Sequence, residues 1–288
     1  MRLVTGAAAT SNGRIAPRPV TVIRPSRGLS LDLRSLWGHR ELLYFLVWRD
    51  VRVRYKQTMI GASWAIVQPL LTMAIFTVVF GRLAAMPSDG VPYPLFAYAA
   101  LLPWTYFSQA VTRSGGSLVG NANLITKVYF PRLLVPLASV ATPVVDLAWA
   151  LLVFCGLMGW YRVGLTWGLA TLPLFLLMAI AAALAVGLWL APLNARYRDV
   201  GHAIPFLTQV WLYASPVVYP LSLVPERWRL VFGLNPMVGV IEGWRWAMLG
   251  TASPDLDVIG VSAAVTLILL ITGLANFKRM ERSFADVV

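Results

Sequence analysis

The sequence is poor in the residues that most chemistry needs. It has one cysteine, Cys155, inside an apolar run, so an intrachain disulfide is excluded and the residue reads as a small buried hydrophobe. Two histidines, His39 and His202, are too few to build a common zinc site with it. A P-loop requires Gly-Lys-[Ser/Thr], so that backbone amides and the lysine can cradle phosphates. The three lysines follow Tyr55, Thr126 and Phe277, which excludes ATP binding of that kind on this chain. No serine stands in a Gly-x-Ser-x-Gly setting. Asp255-Leu-Asp257 matches the Asp-x-Asp of metal-dependent sugar transferases, but it falls on the expected outer face and reads as solvated negative charge. No catalytic residue and no metal ligand set is expected. Charge is scarce as well: charged residues make up 12%, against about 25% in soluble domains.

What remains is apolar. Hydrophobic residues are 58% of the 288 and the mean hydropathy is +0.70. They come in uncharged runs long enough for helices of about 20 residues, the length that crosses a bilayer core. Six spans are expected, at roughly 62–81, 94–113, 133–158, within 163–195, 201–222 and 258–277. Pro103 should kink the second. Span three carries one charge, Asp146, which reads equally as a gate or helix-interface residue and as a hydrogen-bonded structural aspartate. Between spans five and six, residues 223–250 hold short apolar pieces broken by Asn235-Pro236, Glu242 and Arg245. Neither piece can span, and re-entrant helices buried in protein fit the length.

Ahead of the spans, residues 1–30 carry five arginines and three prolines, with no apolar signal-peptide core, and read as a flexible basic tail. Residues 31–57 read as an amphipathic helix in the membrane interface. Tyr44, Trp48, Val51 and Tyr55 share one face, and Arg49, Arg52 and Lys56 another. Lys and Arg number 19 on the face carrying both termini and five on the other. The positive-inside rule therefore sets both termini, including a tail at 278–288, in the cytoplasm. The net charge of +12 is a topology signal on this reading, and no nucleic-acid partner is expected. The expected fold is an all-α membrane protein: a six-span domain over 58–277 with an N-terminal interface helix and re-entrant helices before the last span.

One cytoplasmic loop stands out. Asn121-Ala-Asn123-Leu-Ile-Thr-Lys127-Val-Tyr129-Phe130-Pro131-Arg132 is amphipathic, and Pro131 ends any helix in it. From here the chain resembles the permease subunits of type-2 ABC exporters, the group that moves O-antigen, capsule and teichoic acid chains. The coupling region of that family is similar to Asn121–Pro136. Its interface helix and first span resemble Arg49-Asp50-Val51-Arg52-Val53-Arg54-Tyr55-Lys56-Gln57 followed by Gly61-Ala62-Ser63-Trp64-Ala65 and Gln68-Pro69. Further likenesses are Asn194-Ala195-Arg196-Tyr197-Arg198-Asp199-Val200, Ser215-Pro216-Val217, Leu234-Asn235-Pro236-Met237 and Glu242-Gly243-Trp244-Arg245. They run in order over roughly residues 40–280.

The resemblance implies a complex of two permeases and two ATPase chains in the bacterial inner membrane. ATP and Mg would sit on the ATPase, and a lipid-linked glycan would be the cargo. A helix at about 119–131, with Asn121, Asn123, Lys127, Tyr129, Phe130 and Pro131, would couple to the ATPase. Arg49, Arg52, Arg54 and Lys56 would line the cytoplasmic entrance, suited to a pyrophosphate, although plain positive-inside anchoring explains them equally. Trp104, Tyr106, Phe107, Trp211, Tyr213 and Tyr219 would offer rings to sugars along the path, or else form an interfacial belt. Asn235, Pro236, Glu242 and Arg245 would belong to an outer gate. Export of a drug or small lipid, or a polytopic glycosyltransferase, are the alternatives.

Overall fold

The computed structural model describes residues 33–56, 61–164, 166–251 and 254–281, and among them every regular element is helical. The basic tail expected over 1–30 and the last residues of the C-terminal tail lie outside the described residues. In order, the helices are α1 (Leu33–Gly38), α2 (Arg40–Lys56), α3 (Gly61–Phe76), α4 (Tyr93–Gly120), α5 (Ala122–Lys127) and α6 (Leu134–Ala141). They continue with α7 (Val144–Trp160), α8 (Leu172–Arg196), α9 (Asp199–Tyr213), α10 (Glu226–Phe232), α11 (Pro236–Leu249) and α12 (Leu256–Met280). A π-helical stretch, Thr77–Leu83, prolongs α3, and a 3₁₀ turn, Trp167–Thr171, leads into α8.

Among the described residues, four segments are long and apolar enough to cross a membrane: Ile66–Leu83, Leu134–Trp160, Trp167–Arg196 and Leu256–Met280. The longest helix, α4, is not among them, and its position explains why. It packs on α3, α6, α7, α8, α9 and α11, and Leu95 to Ala100 have no exposed surface. Because α4 is shielded by neighbouring helices rather than by lipid, it tolerates Ser114, Ser117 and Gln109 along its length. It also runs unbroken through Pro103.

Lipid tails are as apolar as leucine, so these helices are held by close packing and interhelical hydrogen bonds rather than by a drive to leave water. Small residues at the crossings make that packing possible. A Cβ on Gly187 of α8 would sit 2.3 Å from Oγ of Ser114 on α4. One on Gly273 of α12 would sit 2.9 Å from the Ala185 carbonyl oxygen of α8. Interhelical bonds join the same pairs: Asn194 Nδ2 donates to the Gly115 carbonyl at 3.0 Å.

Several expectations change. Span five, expected over 201–222, is a 15-residue helix, α9, ending at Tyr213. At 1.5 Å per residue that is about 22 Å, short of the bilayer core. Pro216 biases Ser215 away from helical angles, and residues 214–217 are turns. Span three, expected over 133–158, falls within the candidate span Leu134–Trp160, with a turn between α6 and α7 where Pro143 has no N–H to continue the ladder. The coupling helix expected at 119–131 is only six residues long, because Val128 turns extended and Pro131 keeps Phe130 out of a helix. The interface helix is two pieces meeting at His39. Leu46, with Leu36, Leu42, Leu43 and Val47, packs on Ile125, Phe130 and Leu134, whereas Tyr44 and Trp48 face outward. Cys155 is exposed on α7 rather than buried.

Gly273→Ala is expected to destabilise the protein by about 1–3 kcal/mol, because its methyl group meets backbone of α8. Gly156→Ala, where a Cβ meets nothing within 4 Å, should leave stability unchanged or slightly raised. Thermal unfolding of both variants in detergent checks the contrast.

Candidate functional site

At the end of the bundle assigned to the cytoplasm, α2 lies against α6 and reaches α4, α5 and α7 with polar side chains. Asn121 forms the joint between α4 and α5. Its Nδ2 donates back to the Ser117 carbonyl at 2.9 Å, and its carbonyl accepts from the Leu124 and Ile125 N–H groups that open α5. Arg49 Nη2 donates to Asn121 Oδ1 at 2.8 Å and pairs with Asp50 at 2.8 Å. One turn further along α2, Arg54 forms an ion pair with Asp146 of α7 and donates to Gln109 Oε1 of α4 at 3.3 Å. The Tyr55 hydroxyl donates to the other oxygen of Asp146. Arg113 of α4 faces the same cluster.

The expected entrance set is therefore divided. Arg52 and Lys56 are exposed, with Arg52 stacked over Trp48 at 5.5 Å. Arg49 and Arg54 are engaged within the chain. Asp146 is a helix-interface residue, with 9% of its side chain exposed. Its solitary charge in span three was the signal for it, but nothing in the sequence pointed to Arg54, Tyr55 or Gln109 as its partners.

Alpha-5 presents two faces. Ile125 and Phe130 anchor the segment in the bundle, while Asn123, Lys127, Val128 and Tyr129 are exposed, Tyr129 to 80%. Phe130, expected to face a partner, is instead the anchor. Pro131, half-buried, starts the turn into α6.

The expected aromatic path also separates. Trp104, Tyr106 and Phe107 are buried within the single chain, and the Tyr106 hydroxyl donates to the Val140 carbonyl at 3.1 Å. Phe107 meets the Trp211 ring edge-on at 5.1 Å. These rings are packing elements of the core here. Of the remaining path residues, Tyr213 at the end of α9 is exposed, and Trp211 of α9 and Tyr219 beyond it are half-buried.

The opposite end is built on two polar residues. Asn235 uses its whole amide. Its Oδ1 caps α11 by accepting from Met237 N–H at 3.0 Å and also accepts from Trp211 Nε1 at 2.9 Å. Its Nδ2 donates to Ser215 Oγ at 2.8 Å and to the Ala214 carbonyl at 3.2 Å. Pro236 takes the first helical position, where its missing N–H costs nothing. Arg245, 2% exposed, spreads its guanidinium over a turn with few bonds of its own. It donates to the carbonyls of Val217 (2.7 Å), Phe96 (3.3 Å) and Tyr219 (3.4 Å), and to Glu242 Oε1 at 3.4 Å. Its charge also rests on the Phe96 ring at 3.6 Å. The i,i+3 pair with Glu242 was legible; the three carbonyls were not. Ser262 of α12, also unforeseen, accepts from Gly239 N–H at 3.1 Å and donates to the Gly233 carbonyl at 2.9 Å.

These features define an all-helical, multi-span membrane protein with a short exposed cytoplasmic helix and a polar-stapled hairpin before its last span. The chain belongs to the ABC-2 type transporter family, whose model matches residues 41–249. It is similar to the O-antigen export system permease protein RfbA of Myxococcus xanthus, 29% identical over 259 residues, covering 89% of this chain and 98% of that one. It also resembles the capsule polysaccharide export inner-membrane protein CtrC of Neisseria meningitidis serogroup A, 25% identical over 267 residues, 87% of this chain and 95% of that one. The polysialic acid transport protein KpsM of Escherichia coli is 23% identical over 245 residues, 82% of this chain and 92% of that one. The chain is a multi-pass transport subunit of the bacterial inner membrane, not an enzyme.

Arg245→Gln should cost about 3–5 kcal/mol, the scale of breaking a buried ion pair from one side. Arg245→Lys keeps the charge but lacks the planar fork that serves four acceptors, and should fall between Gln and the native residue. Thermal midpoints in detergent give the order.

Proposed function

We propose that the chain is the transmembrane half of an ATP-driven exporter that carries a lipid-linked polysaccharide across the inner membrane. The observation carrying this is the length and consistency of the likeness: O-antigen, capsule and polysialic acid permeases each align over 82% or more of this chain. Two copies of it would assemble with two ATPase chains, which would bind ATP and Mg.

On this reading α3, α4, the α6–α7 pair, α8, α9 and α12 act as six spans, with α9 completed by the turn at 214–220. Alpha-10 and α11 are the re-entrant outer gate. Exposed Asn123, Lys127 and Tyr129 on a helix joined directly to central α4 suit docking into the ATPase, since motion of α5 would be passed to the helix that touches most others. Arg52 and Lys56, exposed on the interface helix, suit the pyrophosphate of the lipid carrier. Trp211, Tyr213 and Tyr219 suit sugar faces passing between two copies.

A mild-detergent purification of the chain from its host tests the assembly. An ATPase is expected in equal amount, and its absence under conditions that keep complexes intact would remove the exporter reading. Lys127→Glu with Tyr129→Ala should leave the chain folded and in the membrane but strip the ATPase from it. Retention of a full complement of ATPase would show that α5 is not the docking element.

A further inference from the structure

Beyond its packing on α6, α2 is held by polar side chains at two places that serve different parts. Arg49 holds Asn121, the residue that ends α4 and opens α5. Arg54 and Tyr55 hold Asp146 on α7. The second tie is unusual in its charge balance. Three cations, Arg49, Arg54 and Arg113, stand with two carboxylates, Asp50 and Asp146. The cluster is under-neutralised and attracts a further anion. Arg54 keeps 25% of its side chain open while Asp146 keeps 9%, so an anion arriving from the surface reaches the arginine and not the aspartate.

We propose that the Arg54–Asp146 pair is a latch opened by a lipid-borne pyrophosphate, which exchanges for Asp146 on Arg54 and so loosens the hold of α2 on α7, letting α2 shift α5 through the Arg49–Asn121 bond. The proposal rests on the exporter reading above and deepens it: the entrance residues report cargo to the ATPase as well as attract it. Arg52 and Lys56 are exposed and make the first contact. A pyrophosphate offers more charge and more acceptor oxygens than one carboxylate, and a guanidinium fork suits it. Asp146 is not orphaned by the exchange, because the Tyr55 hydroxyl still donates to it. The exchange thus replaces one ion pair by another and leaves the α2–α7 tie resting on the Tyr55 hydroxyl alone. Without cargo the latch stays closed and holds the coupling helix in a resting position, which limits idle ATP hydrolysis.

The test uses the full complex of this chain with its ATPase in neutral phosphatidylcholine nanodiscs, with ATP hydrolysis as readout and undecaprenyl pyrophosphate as probe. The native complex should be stimulated by the pyrophosphate and not by undecaprenol. Asp146→Asn, which keeps an acceptor for Tyr55, should raise the unstimulated rate by about two- to thirtyfold and respond little further to the probe. The exchanged pair, Arg54→Asp with Asp146→Arg, restores the tie but removes the cation from its place. It should return the low resting rate and remain unresponsive, an outcome that a purely structural salt bridge does not produce. Equal stimulation of native protein and Asp146→Asn by the probe would overturn the latch and leave the exporter reading standing. Equal stimulation of the native complex by phosphatidylglycerol would overturn the pyrophosphate as the trigger. Failure of the native chain to restore surface glycan in a deletion strain is the separate result that removes the exporter reading, and the latch with it.

Discussion

Hydrocarbon offers no hydrogen bonds, so each backbone carbonyl and N–H placed within it must find a partner in the protein. Regular helices meet that demand by themselves. The stretch between α9 and α12 does not, because Pro216, Pro220 and Pro236 interrupt it. Arg245 and Asn235 supply what the proline-broken backbone lacks. One guanidinium serves three carbonyls from two separate segments, and one amide caps α11 while holding the end of α9. The short helices before the last span exist because these two side chains make irregular backbone tolerable there. Replacing either leaves several groups unpaired together, which is why such polar residues act as a unit.

The same absence of water shapes the packing. With little hydrophobic drive between helices, α4 gathers its neighbours by close approach at small residues and by a few interhelical bonds. Its burial turns it into a mechanical hub: α5 continues directly from it, and α2, α7, α9 and α11 all touch it or bond to it. The aromatic rings of α4 are part of that hub. Trp104 packs on Phe107, Phe107 meets Trp211 of α9, and Trp211 in turn bonds Asn235 at the outer hairpin. A continuous chain of contacts therefore joins α5 at one end to the stapled hairpin at the other.

The division of the basic residues of α2 follows from geometry as well. Arg49 and Arg54 lie five positions apart, so on a helix of 3.6 residues per turn they point in different directions. One meets the α4–α5 joint and the other meets α7. Arg52 and Lys56 make neither contact and stay exposed. Four cations that look alike in the sequence thus serve as two structural ties and two free charges.

Composition and periodicity were enough to establish a helical membrane protein and four of the segments apolar enough to span. Those properties depend on how much each residue prefers lipid or water, which is a local quantity. The Glu242–Arg245 spacing and the isolation of Asp146 were legible for the same reason, since a rare charge is visible without knowing its neighbours. Only the tertiary structure decided which faces are buried, where α9 ends, that Phe130 anchors rather than docks, and that Trp104, Tyr106 and Phe107 are core. It alone paired Arg54 with Asp146, 92 positions apart, and Arg245 with the carbonyls of Phe96, Val217 and Tyr219. Such pairings arise from which helices become neighbours, and a single sequence carries no local trace of that.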